Sequence, residues 1–250
     1  MSSAGAATVA VARRDLDVRL TFRSMTRELV TADLADAWPE RFESLPPVRT
    51  PRAFKGQRNF AGSWWFATTR THVAFESWLE RDHLMLLDFA PEVVAVAAQP
   101  FTAMLPMSSG PGRHTPDFFV RAVDGTGVVI DVRPDERAVK DAEVFDATAA
   151  ACAQVGWGYQ RLGDIAPTLN ANVRWLSGYR HPRCRTKDVA DALLGAVTKS
   201  EQTVGTLARL VGDPVVVLPC LFHLLWSGEL DAALRTRRLR MNSPVRRARP

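Results

Sequence analysis

The run GVVIDVR (127–133) is apolar on both faces, yet Asp131 stands inside it. A strand of that kind belongs to the interior of a sheet. There an unpartnered carboxylate costs several kcal/mol, so the fold around Asp131 must supply partners for its charge. DFFVRAV (117–123) precedes it across a glycine-containing turn, and the two runs make a hairpin. Which face Asp117 takes depends on the loop. A two- or four-residue loop sends it away from Asp131. A three-residue loop, Asp124–Gly125–Thr126, pairs Val123 with Gly127, and then 119 opposes 131 and 117 opposes 133. Gly125 and Gly127 allow the left-handed backbone such a loop requires. The odd-length loop is the expectation, and it brings Asp117, Asp131 and Arg133 to one face.

The flanking segments give the fold class. RAVKDAEVFDATAAACAQV (137–155) predicts a helix of small residues that packs closely on a sheet and stops at Gly156. GWGYQRL (156–162) predicts a further strand, as do GSWWFATTRT (62–71) and VVAVAAQPFTAML (93–105), the latter bent or ended at Pro100. HVAFESWLERDHLMLLDF (72–89) carries Val73, Phe75, Trp78, Leu79 and Leu86 at helical spacing, and Pro91 stops it. Residues 15–45 read as one or two short helices, best over TRELVTADLADAW (26–38). The sum is α/β: a mixed sheet flanked by helices. After Tyr179 comes a basic linker. From Asp188 three helices follow, then ELDAALRTRRLRM (229–241) as a short hairpin, which together predict a small winged-helix-like α domain.

A third carboxylate comes from the helix over 72–89, where Glu76 and Glu80 share a face. Glu76, Asp117 and Asp131 would offer oxygen ligands suited to Mg²⁺, with Mn²⁺ as a substitute. The plainer readings are a solvated hairpin acid for Asp117 and surface ion pairs, with Arg81 or other cations, for Glu76 and Glu80. His114 is a candidate contact for DNA phosphate or a metal-bound water, and Gln99 a candidate near the acids, although a structural histidine and a strand-end amide explain them as well. Trp64 and Trp65 could stack on bases, but one of two adjacent strand aromatics is usually core.

Charge points to a polyanion. The net charge is +5, and the stretch from Arg235 to Pro250 holds seven arginines and no acid. Arg52, Lys55 and Arg58, in the proline-broken connector 44–60, are the best phosphate contacts outside the acidic cluster. The three cysteines form no CxxC pair, which argues against zinc and for a cytoplasmic setting. No run of eighteen apolar residues exists, and no membrane span is expected.

RTHVAFESWLERDHLMLLDF (70–89), RHTPDFF (113–119) and VVIDVRP (128–134) together resemble TnsA-like endonuclease subunits of heteromeric cut-and-paste transposases, in their actinobacterial form. The wider group is the PD-(D/E)xK nucleases. The resemblance implies a restriction-endonuclease-like domain over 51–180. Before it would lie a tail with short helices (1–50), and after it a winged-helix-like domain (187–240) and a basic tail (241–250). It implies that Glu76, Asp117 and Asp131 bind Mg²⁺, and that double-stranded DNA is cut at the 5′ side of transposon ends. An integrase-type transposase subunit and an ATPase regulator of transposition would be partners.

One position departs from that pattern. The family core ends in lysine, and this chain has Arg133. Arginine cannot take a proton from water. It can still stabilise a phosphate by paired hydrogen bonds. Lys140, on the following helix, is a candidate for the displaced lysine and for a DNA contact, against a plainer role as a surface residue. Two other readings stand beside the active subunit: a nuclease-fold subunit that no longer cuts and serves DNA and partner binding, and a standalone restriction or repair enzyme.

Overall fold

The computed structural model describes residues 17–49, 60–197 and 202–248. The chain opens with a hairpin of β1 (Arg19–Arg23) and β2 (Leu29–Asp33), then one helical turn, α1 (Leu34–Ala37). A second hairpin, β3 (Gly62–Phe66) and β4 (Thr71–Phe75), leads into α2 (Trp78–Phe89). β5 (Val93–Ala98), β6 (Phe101–Leu105) and β7 (Gly112–His114) follow. Next come β8 (Phe118–Ala122), β9 (Gly127–Val132), α3 (Asp135–Ala138), α4 (Ala142–Gln154) and β10 (Gly158–Leu162). The rest is α5 (Pro167–Ser177), α6 (Lys187–Ala196), β11 (Gln202–Thr203), α7 (Val204–Val211), α8 (Pro214–Trp226), β12 (Leu230–Asp231) and β13 (Pro244–Arg247).

The result is a mixed α/β protein with several sheets, divided into two compact units. The first unit takes residues 1–50 and 95–162, the second 51–94 and 163–250. The span 51–180 is therefore shared between them.

In the first unit, one sheet has the order β2-β1-β6-β7 and the other β10-β9-β8-β5. β8 and β9 are antiparallel, whereas β9 and β10 are parallel and joined through α4. Gly156 ends α4 with φ +75°, which a side chain would resist. Phe42 is the centre of the core. Its ring lies 5.0–5.7 Å from those of Phe22, Phe101, Phe119 and Trp157, an edge-to-face cluster with aliphatic neighbours Leu20, Val129 and Ala151.

Residues 19–23 and 29–33 are strands where helices were expected, and the helix expected over 26–38 is reduced to the single turn α1. Leu20 and Phe22 alternate inward and β1 pairs with β6, Arg19 opposite Met104. That partner lies far along the chain, and its pairing overrides the local helical preference.

In the second unit, α2, α5 and the three helices α6 to α8 share one apolar core around Leu176, Leu193, Leu207, Leu221 and Leu224. The strands β11, β13 and β12 lie side by side in that order. The expected hairpin over 229–241 is instead β12 with β13, separated by the loop 232–243. The helix expected over 72–89 begins only at Trp78, because Thr71–Phe75 pairs with β3. Ser77 caps it: its Oγ accepts from Glu80 N at 3.2 Å and donates to Glu80 Oε1 at 2.8 Å, while Glu80 Oε2 accepts from Glu76 N at 2.6 Å. Among the described residues, no helix is long and apolar enough to cross a membrane.

Candidate functional site

The β8–β9 hairpin turns through three residues, Val123 to Gly125, not through 124–126. Ala122 N donates to Thr126 O at 2.9 Å, and Gly125 takes φ +87°. The odd loop length holds, and the register moves by one pair. Phe118 opposes Ile130 and Phe119 opposes Val129, so the same register sets Asp117 opposite Asp131 rather than opposite Arg133. Opposed residues share a face. Here it is the face of Phe119 and Val129, towards the core that α4 closes.

Asp131 is 3% exposed. His114 Nε2, from β7, lies 3.0 Å from both of its carboxylate oxygens, and Tyr159 on β10 donates to Oδ2 at 2.9 Å. Parallel pairing puts Tyr159 beside Val129, one inward step from Asp131. The buried Cys152 of α4 is close enough to feel the charge. Burial first, and Asp131 second, push its thiol up to about 12, so it is an inert neighbour. The same two causes, with the hydrogen bond to Asp131, raise the Tyr159 phenol well above its ordinary value. Tyr159 thus stays protonated and stays a donor.

Asp117 is half-buried at the end of the ladder, and its Oδ2 accepts from Val132 N at 2.7 Å. Its carbonyl accepts from Gln99 N at 2.8 Å. Gln99 marks where the chain leaves one sheet for the other. It is 3% exposed, adopts φ +47°, and its Oε1 has no hydrogen-bond partner among the described residues. A buried orphan acceptor on a strained backbone is costly, and such positions gather at functional sites.

The remaining expected residues are placed differently. Arg133 lies just past β9, half-exposed, and its Nε pairs with Asp141 Oδ2 at 2.8 Å. Lys140 is exposed on the turn between α3 and α4. Glu76 belongs to the second unit and precedes α2, so it shares no helical face with Glu80, which is occupied in capping. Arg52, Lys55 and Arg58 lie outside the described residues. Trp64 packs on the second unit's core and donates to Asp88, and Trp65 stacks on His181 with centroids 5.0 Å apart.

The structure thus brings together Asp117, Asp131, His114 and Tyr159. Tyr159 was missed in the sequence. Its signal was faint: a polar-tipped aromatic on the strand after the helix. Among the described residues no cluster of three or more His, Cys, Asp or Glu side chains is arranged to hold a metal ion. Asp117 and Asp131 are nonetheless carboxylates of the kind a hard cation takes, and Gln99, whose backbone bonds Asp117, has an amide oxygen without a partner among the described residues. A carboxylate has about four acceptor directions, and Asp131 accepts from two side chains, so capacity remains. No protein-family model matches the chain, and no curated protein matches it.

Proposed function

We propose that the protein is a Mg²⁺-dependent DNA endonuclease subunit of a heteromeric transposase, hydrolysing a phosphodiester at the 5′ side of transposon ends. The observation that carries this reading is the register that sets Asp117 opposite Asp131 on one sheet face. The order β5, β8, β9, α4, β10, with β9 and β10 parallel, is compatible with a restriction-endonuclease-like core and supports the reading. The order α6, β11, α7, α8, β12, β13, with β13 between the other two strands, supports a winged-helix domain in the second unit. The integrase-type partner and the ATPase regulator rest on the sequence resemblance.

Asp117, Asp131 and the Gln99 amide oxygen would hold the cation, with Mn²⁺ as a substitute. Once bound, it would neutralise charge on the phosphate and acidify a water. Tyr159 and His114 fix the rotamer of Asp131 from behind, as outer partners orient ligands. The Val132 amide does the same for Asp117. Arginine, unlike lysine, is no proton acceptor, and Arg133 is held by Asp141. It therefore serves electrostatic stabilisation and not proton abstraction.

A second reading has its own observation. Both Asp131 oxygens and the Arg133 guanidinium already have partners, which favours a subunit that retains the fold without cutting. Strand cleavage of transposon-end duplex in Mg²⁺ or Mn²⁺, with the partner subunits present, separates the two. The active reading expects a 5′-side cut that Asp117→Ala lowers by about 100-fold or more. A wild-type protein that leaves both strands intact under those conditions removes it.

A further inference from the structure

The described arginines differ in whether an acid holds them. Many are spent on acids: Arg121 on Glu43, Arg174 on Asp82, Arg185 on Glu229 and Arg246 on Asp231. In the loop between β12 and β13, Arg235, Arg237, Arg238 and Arg240 are exposed and form no ion pair with any described acid. Such a loop would ordinarily be free to wander. This one is pinned. Leu234 is 8% exposed, and it and Leu239 pack into the core of the second unit. Asn172, 3% exposed on α5, donates to Leu234 O at 2.8 Å and to Arg237 O at 2.7 Å, and accepts from Leu239 N at 2.9 Å. Further on, Gly205 N donates to Met241 O and Val204 N to Ser243 O. One buried side chain thus fixes three backbone groups of the loop while its arginines point outward.

We propose that Arg235–Arg240, held by Asn172, is a clamp for the phosphate backbone of duplex DNA that reads no base sequence. DNA as the partner follows from the proposed function above. Between Arg235 and Arg240 the outward positions are four arginines and one threonine; the half-exposed Met241 follows them, one apolar side chain beside four guanidinium groups. A protein partner would want a buried apolar centre, whereas phosphates need fixed guanidinium groups. Because the loop is ordered by folding, little entropy remains to be lost on binding. The helix after the α7–α8 turn does not read bases: α8 contains no Lys or Arg, and its outward residues there are Val215 and Val216.

The test is duplex binding by the full chain in EDTA, where cutting plays no part, with two unrelated sequences and a salt series. The wild type should bind both alike. Each lost phosphate contact lowers the slope of log K against log salt by about 0.9. Replacing all four arginines by alanine should therefore reduce the slope by about 3 to 4, with an unchanged melting temperature. Asn172→Ala keeps every arginine and should weaken binding about 10-fold, a signature of loop positioning. Should that variant unfold, the arginine variant still decides. A wild-type slope in the arginine variant, sequence discrimination by the wild type, no duplex binding, or preference for a poly-glutamate peptide would each overturn the clamp. Retained binding in the arginine variant alongside loss of cleavage in Asp117→Ala would sink the clamp and leave the nuclease reading standing. The reverse would spare the clamp.

Discussion

Asp88 on α2 and Asp131 on β9 are 5% and 3% exposed, one in each unit, and their hydrogen-bond donors differ in kind. Asp88 accepts from the backbone amides of Ala67 at 2.8 Å and Thr68 at 3.2 Å, from the Thr68 hydroxyl, and from the Trp64 indole at 3.1 Å. Arg180 stands 4.0 Å away, stacked over Trp64. Main-chain donors cannot turn aside, so that carboxylate is committed to closing the β3–β4 turn. Among the described residues Asp131 accepts only from His114 and Tyr159, both on rotatable side chains. Burial alone therefore does not mark a functional acid; main-chain donors separate a staple from an acid held by side chains alone among the described residues.

The most disruptive way to test that contrast is to remove each carboxylate. Asp88→Ala strands two backbone amides and an indole and removes the acid beside Arg180. It should cost about 3–5 kcal/mol, read as a lower unfolding midpoint in urea. Asp131→Asn keeps an oxygen for Tyr159 and should cost about 1 kcal/mol, while cleavage falls by about 100-fold or more. Equal destabilisation by the two substitutions would make Asp131 a staple too.

Tyr159→Phe has a smaller expected effect. It deletes one donor to Asp131 and leaves the ring in place, at about 1 kcal/mol. If the phenol orients Asp131 for a ligand, cleavage should drop about 10-fold while DNA binding is kept. Unchanged cleavage would mean that His114 alone suffices.

What was legible in the sequence shares one property: it is local. The β8–β9 hairpin, α4 with Gly156 behind it, β10 and the helices from 188 onward are written in short-range periodicity and glycine placement. β1 and β2 were not legible, because their stability comes from β6. The start of α2 was misplaced although Ser77 and Glu80 spell a capping box, since Val73 and Phe75 continue an apolar spacing that fits both a strand and a helix. The acids on one face were legible through loop parity alone. Tyr159 was not, because a parallel register across α4 leaves no trace in spacing.

The smallest expected effect concerns pH, and α2 supplies its own control. Burial raises the Asp88 carboxyl above its usual range, and the hydrogen bonds from Ala67, Trp64 and Thr68 only partly offset this. Burial also acts on Asp82, but the hydrogen bonds from Asn170 and Arg81, with the charges of Arg81 and Arg174, outweigh it and lower that carboxyl. The signs are opposite. Folding favours the protonated form of Asp88, so its contribution declines as pH rises from about 3.9, the unfolded value, through the folded one. Folding favours the charged form of Asp82, so its contribution is complete above about 3.9 and is lost as pH falls through the folded value. Urea unfolding from pH 3 to 7 should show it. Asp82→Asn should flatten the acid limb, and Asp88→Asn should steepen the rise of stability with pH above about 4, each by at most about 1.4 kcal/mol per pH unit. If the difference between wild type and Asp88→Asn stays constant across that range, Asp88 titrates like an exposed carboxyl. Its backbone donors would then balance its burial in full, and their main-chain character would no longer be what distinguishes it from Asp131.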